Sequence, residues 1–595
     1  MVICSDSKLL SNLSKMRHLD LGLNHFDKDA FRILGALPFL KFLSLKFNRI
    51  EGPLSNKELT YNLSNLEVLL LSYNQLNGTL PMEEYKILLS LNFENNVKNS
   101  SSKNSDFPAM LNIPTSLRRP FDGSPTVVRY EQSSCFVGLC KLKKLEELYL
   151  SHNLFEGILP PCLSNMRSLK FFDISLNQFT GNISPSLFGS LNSLEYIGLS
   201  HNRFKGLFSF GSFANHSNLE VVELINDNDE FEVETELTNW IPMFQLKVLV
   251  LSNCNLNKLS GDVPKFLLYQ NKLMVVDLTH NNLTSSFPNW LLVNNTRLKH
   301  LILRNNSFVN LFFLPQYCYT STSRIDVSDN HLSGKIQANI GDIFPYIQYL
   351  NLSRNALEGG IPSSFGKMSE LKFLDLSSNS FSREVPNQLV RNCRSLWVLK
   401  LSNNNFRGQI FSVDFNLTQI MTLQLNDNQF TRPLTNVLSK LLELYFLDIS
   451  NNYMFVKIPS SMDNMTLLGT LIMRNNSFNG DFPCKIIDMK AQFGTFEASS
   501  YEGNPFLCGQ PLEKICTAIV DSPHLPTGEK WYDIDLVAFF ASFVGAYITF
   551  LFGFAATLYI NPYWRQRWFY LIEDGMYSSY YFVSDSLCKI LRLLY

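Results

Sequence analysis

The stretch Leu350–Pro362 reads LNLSRNALEGGIP, and its pattern recurs along most of this 595-residue chain. The pattern is L-x-L-S-x-N, followed by an apolar residue, a Gly and then Ile-Pro or Leu-Pro. We call the position of Asn355 the Asn slot. From Asn330 onward, successive slots are 24 or 25 residues apart. In register, the slot holds Asn24, Asn48, Asn74, Asn153, Asn177, Asn202, Cys254, Asn281, Asn306, Asn330, Asn355, Asn379, Asn404, Asn428, Asn452 and Asn476, with Asn96 and Asp227 in weaker copies.

A period this short and regular predicts a leucine-rich-repeat solenoid. This is an α/β repeat fold in which each repeat forms one coil and gives one short strand to a parallel sheet. The two Leu of L-x-L point into the coil, whereas the residues between and beside them point outward. An Asn side chain carries a donor and an acceptor, so it can satisfy backbone groups that a tight turn leaves unpaired. We therefore expect a curved solenoid with the parallel sheet on its concave side.

Residues 97–134 interrupt the repeats with a polar, Ser-rich segment that has no period. They separate N-terminal repeats in residues 1–96, which have no cap before them, from a longer solenoid in residues 135–487. The interruption is either an eroded repeat with a looped-out insertion or an island that contributes to ligand binding. Cys140 and Cys162 occupy nearly equivalent places in adjacent coils, where they form a disulfide or remain two buried thiols.

Composition and motifs exclude several classes of protein. The net charge of −1 does not suggest a nucleic-acid partner or a polybasic membrane surface. No nucleotide loop, metal-ligand cluster or nucleophile constellation is visible, so we expect no enzyme, no catalytic residue, no cofactor and no metal.

The N-terminus has no basic segment followed by an apolar core, so no signal peptide is visible. Thirteen N-x-S/T sequons are nevertheless compatible with secretion. The glycosylation candidates are Asn12, Asn62, Asn77, Asn99, Asn182, Asn215, Asn282, Asn294, Asn305, Asn351, Asn416, Asn464 and Asn475.

The outward positions of the middle coils form the candidate ligand-binding surface. Mixed charge with aromatic side chains on an exposed sheet suits recognition of a peptide or protein. The alternative is that Asp and aromatic residues at these positions are ordinary fillings of the repeat. A glycan on Asn351 would obstruct part of this surface. The candidate ligand-binding residues are His300, Arg304, Arg324, Asp326, Tyr349, Arg354, Phe373 and Asp375.

After Asn476 the pattern stops, and no further coil is expected. Residues 488–516 contain Cys508 and Cys516 among Gly and Pro, which indicates a cap closed by a disulfide between these two cysteines. The cap would cover the apolar end of the last coil. Residues 517–535 form an acidic juxtamembrane spacer.

Leu536–Ile560 is a run of 25 residues without a charge. As a helix it is about 38 Å long, enough to cross the ~30 Å hydrocarbon core of a bilayer. Acidic residues precede the run and Arg565 and Arg567 follow it, which predicts a single-pass type I protein with extracellular repeats and a cytoplasmic tail at residues 561–595. Small residues at every fourth position give the helix a candidate pairing face. They are Ala541, Gly545, Thr549, Gly553 and Thr557.

Three segments give the chain a recognisable likeness: SYEGNPFLCGQPL at residues 500–512, the apolar helix, and NPYWRQRWFYLIEDGMYSSYYF at residues 561–582. Together with the L-x-G-x-I-P half-repeat, they resemble the plant leucine-rich-repeat receptor-like proteins. The resemblance implies a plasma-membrane receptor without a kinase of its own. Such a receptor recognises an extracellular peptide or microbial ligand and signals through a single-pass receptor kinase, in defence or development.

The chain also departs from that family. A signal peptide and an N-terminal Cys cap are missing, and the family's island with its following repeats is absent between Ile487 and Asp488. In the family, those final coils are where a co-receptor kinase docks. A truncated, non-signalling remnant or decoy is therefore a second hypothesis. A third is an anchored inhibitor of secreted wall-degrading enzymes, but the membrane helix argues against it because those inhibitors are soluble.

Overall fold

The chain divides into two compact units, Met1–Cys516 and Thr517–Tyr595. In the computed structural model, the described residues are 15–27, 37–54, 63–79, 139–236, 240–311, 320–412, 414–431, 436–459, 462, 465–481, 496–508 and 512. All of them belong to the first unit. The predicted spacer, membrane helix, pairing face and cytoplasmic tail lie outside the described residues. Within the described part, no helix is both long and apolar enough to cross a bilayer.

One long parallel sheet, called here the principal sheet, runs through the first unit. Each strand comes from the L-x-L segment of one repeat, and equivalent residues of successive repeats lie side by side. Leu350 lies beside Leu374, and Leu374 beside Leu399. The predicted parallel sheet is confirmed. Its 17 described strands are His18–Asp20, Phe42–Ser44, Val68–Leu70, Glu147–Tyr149, Phe171–Asp173, Tyr196–Gly198, Val221–Ile225, Val248–Ser252, Val275–Asp277, His300–Ile302, Arg324–Asp326, Tyr349–Asn351, Phe373–Asp375, Val398–Lys400, Thr422–Gln424, Phe446–Asp448 and Thr470–Ile472.

Strands of two to five residues beyond the Asn slot form a second ladder, which is also parallel. Among the described residues it comprises four sheets of five, two, six and three strands. The first two sheets contain Glu51–Pro53, Gln75–Thr79, Leu154–Gly157, Gln178–Gly181 and Arg203–Phe204, then Gly206–Ser209 and Phe231–Glu234. The other two contain Val309–Leu311, His331–Lys335, Ala356–Gly359, Ser380–Arg383, Asn405–Gly408 and Gln429–Phe430, then Phe455–Val456, Ser477–Asp481 and Phe506–Cys508.

Short helices complete many of the coils. Pro185 opens one of them, and proline suits this position because it has no N–H, and an N–H in the first turn would have no partner within the helix in any case. The α-helices are Pro185–Gly189, Asn289–Asn294, Ile340–Ile343 and Asn387–Asn392. The 3-10 helices are Leu139–Lys141, Pro161–Asn165, Phe210–Phe213, Lys265–Tyr269, Ser363–Lys367, Asn436–Lys440 and Ala498–Ser500.

The core is a column of apolar side chains that runs through successive coils. Both Leu of each L-x-L are inside, as Leu374 and Leu376 show with no exposed surface. Phe381, from the second ladder, is equally buried and stacks on Phe406 of the next coil at 5.9 Å between ring centroids. Each buried Leu or Phe contributes roughly 1.5–3 kcal/mol relative to an exposed one. The expected inward direction of the L-x-L leucines is confirmed.

The Asn slot joins neighbouring coils, as the sequence predicts. Asn404 is buried, and its Nδ2 donates to the carbonyl oxygens of Leu376, Leu401 and Ser402 at 2.9, 3.2 and 3.1 Å. Its Oδ1 accepts from the Phe381 N–H at 2.9 Å. One side chain thus satisfies backbone groups of its own coil and of the preceding one, which would otherwise be buried unpaired.

Two unusual slots behave differently. Cys254 is fully buried, and its Sγ lies 3.3 Å from the Leu224 oxygen, so it occupies the slot as predicted. The assignment of Asp227 is wrong, because its carboxylate is exposed and lies 3.0 Å from Nδ1 of His201. Asn228 instead reaches the preceding coil, where its Nδ2 donates to the Phe204 oxygen at 3.1 Å.

The interruption of the repeats falls between two directly paired strands. Val68–Leu70 pairs with Phe42–Ser44 on one edge and with Glu147–Tyr149 on the other. Both edges of this strand are therefore occupied. Asn96, in the weak copy, lies outside the described residues. Across this junction, Cys140 and Cys162 form a disulfide, one of the two outcomes that the sequence left open.

The repeat pattern continues one coil further than the sequence predicted. Asn504 fills a slot, since its Nδ2 donates to the Met473 oxygen at 3.1 Å and its Oδ1 accepts from Phe478 N–H at 3.1 Å. Tyr501, fully buried, stands where the other coils have a Leu. The expectation that no coil follows Asn476 is therefore wrong. Cys508 is disulfide-bonded, but Cys516 lies outside the described residues, so the pairing of these two cysteines stays a prediction.

Candidate ligand-binding face

The outward side of the principal sheet, from Tyr196–Gly198 to Val398–Lys400, is called here the sheet face. Four of the predicted ligand-binding residues occupy the first outward position of successive strands, where His300, Arg324, Tyr349 and Phe373 lie side by side. The Arg324 guanidinium lies 4.3 Å from the centroid of the Tyr349 ring, which stacks on Phe373 at 4.3 Å. The structure therefore brings these residues together as one continuous row.

The two predicted aspartates have a different position. Asp326 and Asp375 are buried, and each accepts two hydrogen bonds from a Ser two residues later. For Asp326 these come from the Ser328 N–H and Oγ at 3.1 and 2.6 Å. Burial raises the pKa of the Asp375 carboxyl, while hydrogen bonds from Ser377 act in the opposite direction. This geometry agrees with the alternative interpretation, in which Asp at these positions is an ordinary part of the repeat rather than a ligand-binding residue.

Arg304 and Arg354 lie along the edge of the sheet face, beyond the ends of the strands. Both face the same carboxylate, because Arg304 Nε and Arg354 Nη1 lie 3.6 and 3.2 Å from the two oxygens of Asp329. The Arg side chains are about half exposed, with 44% and 55% of their surface accessible. They place positive charge beside the row that contains Arg324.

His300 lies next to Arg324 at the end of the row. Burial, followed by the nearby Arg324 and Lys299, lowers the pKa of its imidazole below the ordinary value. A neutral ring at physiological pH offers one donor and one acceptor rather than a further positive charge.

Two parts of the sheet face were missed by reasoning from the sequence. The strands before His300 present Val248, Val250 and Val275 at their outward positions, which gives the face an apolar centre. Beyond it, Tyr196 donates to Glu223 at 2.8 Å. Burial raises the pKa of both groups. The repeat register already places these residues on the outward side of the sheet. They are absent from the candidate ligand-binding set only because that set covers the middle coils alone.

A further exposed feature lies outside the sheet face, on the flank of three adjacent coils near the C-terminal end of the described repeats. It consists of the residue that directly precedes the strand of each coil. Trp397, Met421 and Tyr445 stand there in adjacent coils with 48%, 47% and 60% of their surface exposed, and we call them the flank stripe. The next coil has Gly469, where a Cβ would lie 2.6 Å from the Tyr445 ring. In earlier coils the same position carries paired charges, such as Glu146 with Lys170 at 2.7 Å.

The sequon asparagines fall into two groups among the described residues. Asn351 is half-buried on the sheet face, and its Oδ1 accepts from Ser353 N–H and Oγ at 3.1 and 2.7 Å. Asn416 is also half-buried. The exposed ones are Asn77, Asn182, Asn215, Asn282, Asn294, Asn305 and Asn475, whereas Asn12, Asn62, Asn99 and Asn464 lie outside the described residues.

Comparisons with known proteins agree with this architecture. The model of the family described as "Leucine rich repeat" matches residues 345–406, and a second leucine-rich-repeat model matches residues 144–166. Receptor-like protein 14 of Arabidopsis thaliana is 38% identical over 482 residues, which are 80% of this chain and 48% of the relative. Cuscuta receptor 1 of Solanum lycopersicum is 34% identical over 42% of this chain and 22% of its own length. The chain thus spans less than half the length of these curated relatives.

Solved structures show the same fold. The ectodomain of the Arabidopsis thaliana receptor kinase GASSHO1/SCHENGEN3, in complex with CASPARIAN STRIP INTEGRITY FACTOR 2, is 24% identical with a TM-score of 0.52, over 85% of this chain and 60% of that one. The plant peptide hormone receptor RGFR1 in complex with RGF2 is 20% identical with a TM-score of 0.51, over 84% and 80%. At these identities the likeness concerns the fold alone. In its repeats and in its match to the Arabidopsis relatives, the chain is similar to the plant leucine-rich-repeat receptor-like proteins.

Proposed function

We propose that this chain recognises an extracellular peptide on the sheet face of a plasma-membrane receptor that signals through a partner receptor kinase. The observation that carries the proposal is the graded chemistry of the sheet face. Glu223 and Tyr196 lie at one end, Val248 and Val275 in the centre, and the Arg324–Tyr349 pair at the other end. Charged groups flanking an apolar centre suit an extended peptide with complementary ends.

The dimensions of the sheet face set the size of the ligand. Six strand-to-strand steps separate Val221–Ile225 from Phe373–Asp375. At ~4.8 Å per step this is about 29 Å, which an extended peptide covers with about nine residues at ~3.3 Å each. We expect a basic group over Glu223, apolar side chains over the valines and an acidic group near Arg324.

In this proposal the signal passes to a partner receptor kinase, as the resemblance to kinase-less receptors implies. The predicted membrane helix Leu536–Ile560 supports a single-pass type I topology, with the repeats outside the cell. The flank stripe, Trp397, Met421 and Tyr445, offers the partner's ectodomain an apolar contact, since exposed apolar patches commonly mark interaction surfaces. The relatives' name, receptor-like protein, agrees with this role.

Selection of displayed peptides tests the proposal. A phage library of nine-residue peptides is panned on the purified full chain, and the affinities of the selected peptides are measured. Val275→Arg blocks the apolar centre and should weaken them at least about tenfold, which is about 1.4 kcal/mol. Leu154→Arg is the control, because Leu154 is exposed on the second ladder. Equal loss in both variants, or no loss with Val275→Arg, would contradict binding on the sheet face.

A further inference from the structure

A cleft of about 810 Å³ lies where the second ladder is interrupted. The ladder stops at Phe231–Glu234 and resumes at Val309–Leu311. Between them, the coils of Cys254 and Asn281 contribute only an isolated bridge, from Ser286 to Val309, within the described residues. The cleft is therefore a local departure from the repeat, on a different surface from the sheet face.

The sequence explains why the ladder is interrupted here. A regular coil has Gly four residues after its slot, as Gly359 follows Asn355, and reaches its Pro after seven. The Cys254 coil reaches Pro264 only after ten residues. The next two coils replace the Gly by Ser285 and Asn310, so polar side chains stand where other coils have only a hydrogen. Both of these side chains line the cleft.

The lining combines apolar surface with neutral hydrogen-bonding groups. Trp290 is partly buried against the core, and Leu268 leaves half of its surface exposed. Ser285 Oγ is shielded from solvent and has no hydrogen-bond partner among the described residues. Asn310 Nδ2 donates to Ser286 Oγ at 2.9 Å, which fixes the orientation of the amide. A buried hydroxyl without a partner is costly unless a ligand or water satisfies it.

The charge of the cleft is nearly balanced. Lys265 Nζ lies 3.5 Å from a Glu236 carboxylate oxygen, so its positive charge already has a partner in the chain. Asp262 supplies the remaining charge in the lining. An anionic ligand would meet only the Lys265 ammonium, which is already paired, and a cationic ligand would meet only the single Asp262 carboxylate. The lining therefore favours an uncharged ligand with many hydroxyl groups.

We propose that this cleft binds a neutral oligosaccharide. The apolar C–H face of a sugar ring can pack on the Trp290 indole, while its hydroxyls pair with Ser285, Asn310 and Asp262. The volume lies within the range of ordinary ligand pockets, about 300–1,000 Å³, and has room for more than one sugar ring. The inference does not depend on peptide binding to the sheet face.

Two sources can supply this chemistry. One is an oligosaccharide from outside the chain. The other is the chain's own N-glycan on Asn282, which is exposed, heads a sequon and belongs to the same coil as Ser285. An experiment on the wild-type chain and on Asn282→Gln separates them, because only the second source is removed by this change.

Calorimetric titration of the purified full chain with cellotetraose, a neutral sugar, tests the proposal, with tetragalacturonic acid as its charged counterpart. We expect cellotetraose to bind and the acid to bind at least about tenfold more weakly. The double variant Ser285→Gly with Asn310→Gly restores the residue of regular coils, so it should fold. It should lose about tenfold or more in affinity, as expected when two hydrogen bonds are removed. Tyr453→Ala, which removes an exposed aromatic side chain outside the cleft, is the control and should bind normally.

Binding that appears only in Asn282→Gln would support the same chemistry, with the chain's own glycan as the natural occupant. The proposal is overturned if cellotetraose, xylotetraose and chitotetraose bind neither the wild-type chain nor Asn282→Gln. Equal binding of the acidic oligomer, or an unchanged affinity in the folded double variant, would overturn it as well.

Discussion

In most coils, one Asn side chain in the slot links the coil to the preceding one through hydrogen bonds. In the slot of Asn404, one amide donates to three carbonyl oxygens and accepts from the Phe381 N–H. Cys254 occupies the same place with a thiol, which is a weak donor, and contacts the oxygens of Leu224 and Ser252. The slot therefore tolerates a less effective side chain in this coil, while Asn281 of the next coil donates to three carbonyl oxygens.

Asn404→Ala should lower the free energy of unfolding by about 2–3 kcal/mol, because buried backbone groups lose their partners. Urea unfolding of both proteins measures the difference. The adjacent Asn403 is exposed and has a left-handed φ of 54°, so Asn403→Gly is a matched control that should change stability little. If the two variants were equally stable, the slot amide would contribute no stability.

The sequence pattern predicted which residues face outward but not which of them are already satisfied within the chain. Asp326 and Tyr349 occupy outward positions of adjacent strands, yet the first is buried and the second is only half-buried. The difference arises from Ser328, whose backbone and hydroxyl both donate to Asp326. Such short-range pairing depends on side-chain geometry that a period alone does not contain.

Among the structural elements, the terminal coil shows how the apolar column is closed. Tyr501 is fully buried at the position of a core Leu, and Asn504 repeats the slot geometry. The sequence did not reveal this coil, because Tyr replaces Leu and the slot follows Asn476 by 28 rather than 24 residues. A larger side chain suits this coil, which is the last one among the described residues.

Tyr501→Ala should open this end of the solenoid. Truncating a buried aromatic side chain typically costs about 3–5 kcal/mol, and in a solenoid the loss falls on the nearest coils. Hydrogen exchange should accelerate in Ser477–Asp481, which pairs with Phe506–Cys508. Phe506→Ala is the control from the same coil, since 65% of Phe506 is exposed. Equal exchange in both variants would show that the buried Tyr does not close the core.

At the scale of the whole molecule, the period predicted the fold class, the strand positions and the slot. It did not predict that Val68–Leu70 pairs directly with Glu147–Tyr149. A long insertion between two coils costs little more closure entropy than a short one, so sequence separation is a poor guide to contact. Asp227 was misplaced for a related reason: Asn226, Asp227 and Asn228 are consecutive, and only the contacts show which side chain reaches the preceding coil.

If the proposed receptor signals through a partner kinase, two surfaces are available for contact with that partner. One is the flank stripe on the last coils. The other is the small-residue face of the predicted membrane helix, with Gly545 and Gly553 at its centre. Small side chains let two helix backbones approach closely, and the resulting van der Waals contacts drive association within lipid.

Gly545→Leu combined with Gly553→Leu should reduce co-purification of a receptor kinase from plant membranes several-fold. Membrane insertion should be unaffected, because Leu is strongly favoured in a membrane helix. Tyr445→Asp in the flank stripe is the companion variant, and it separates contact outside the membrane from contact within it. If the double variant recovers its kinase at the wild-type level, the small-residue face does not mediate pairing. A loss confined to Tyr445→Asp would then place the contact on the flank stripe, where the exposed apolar side chains lie.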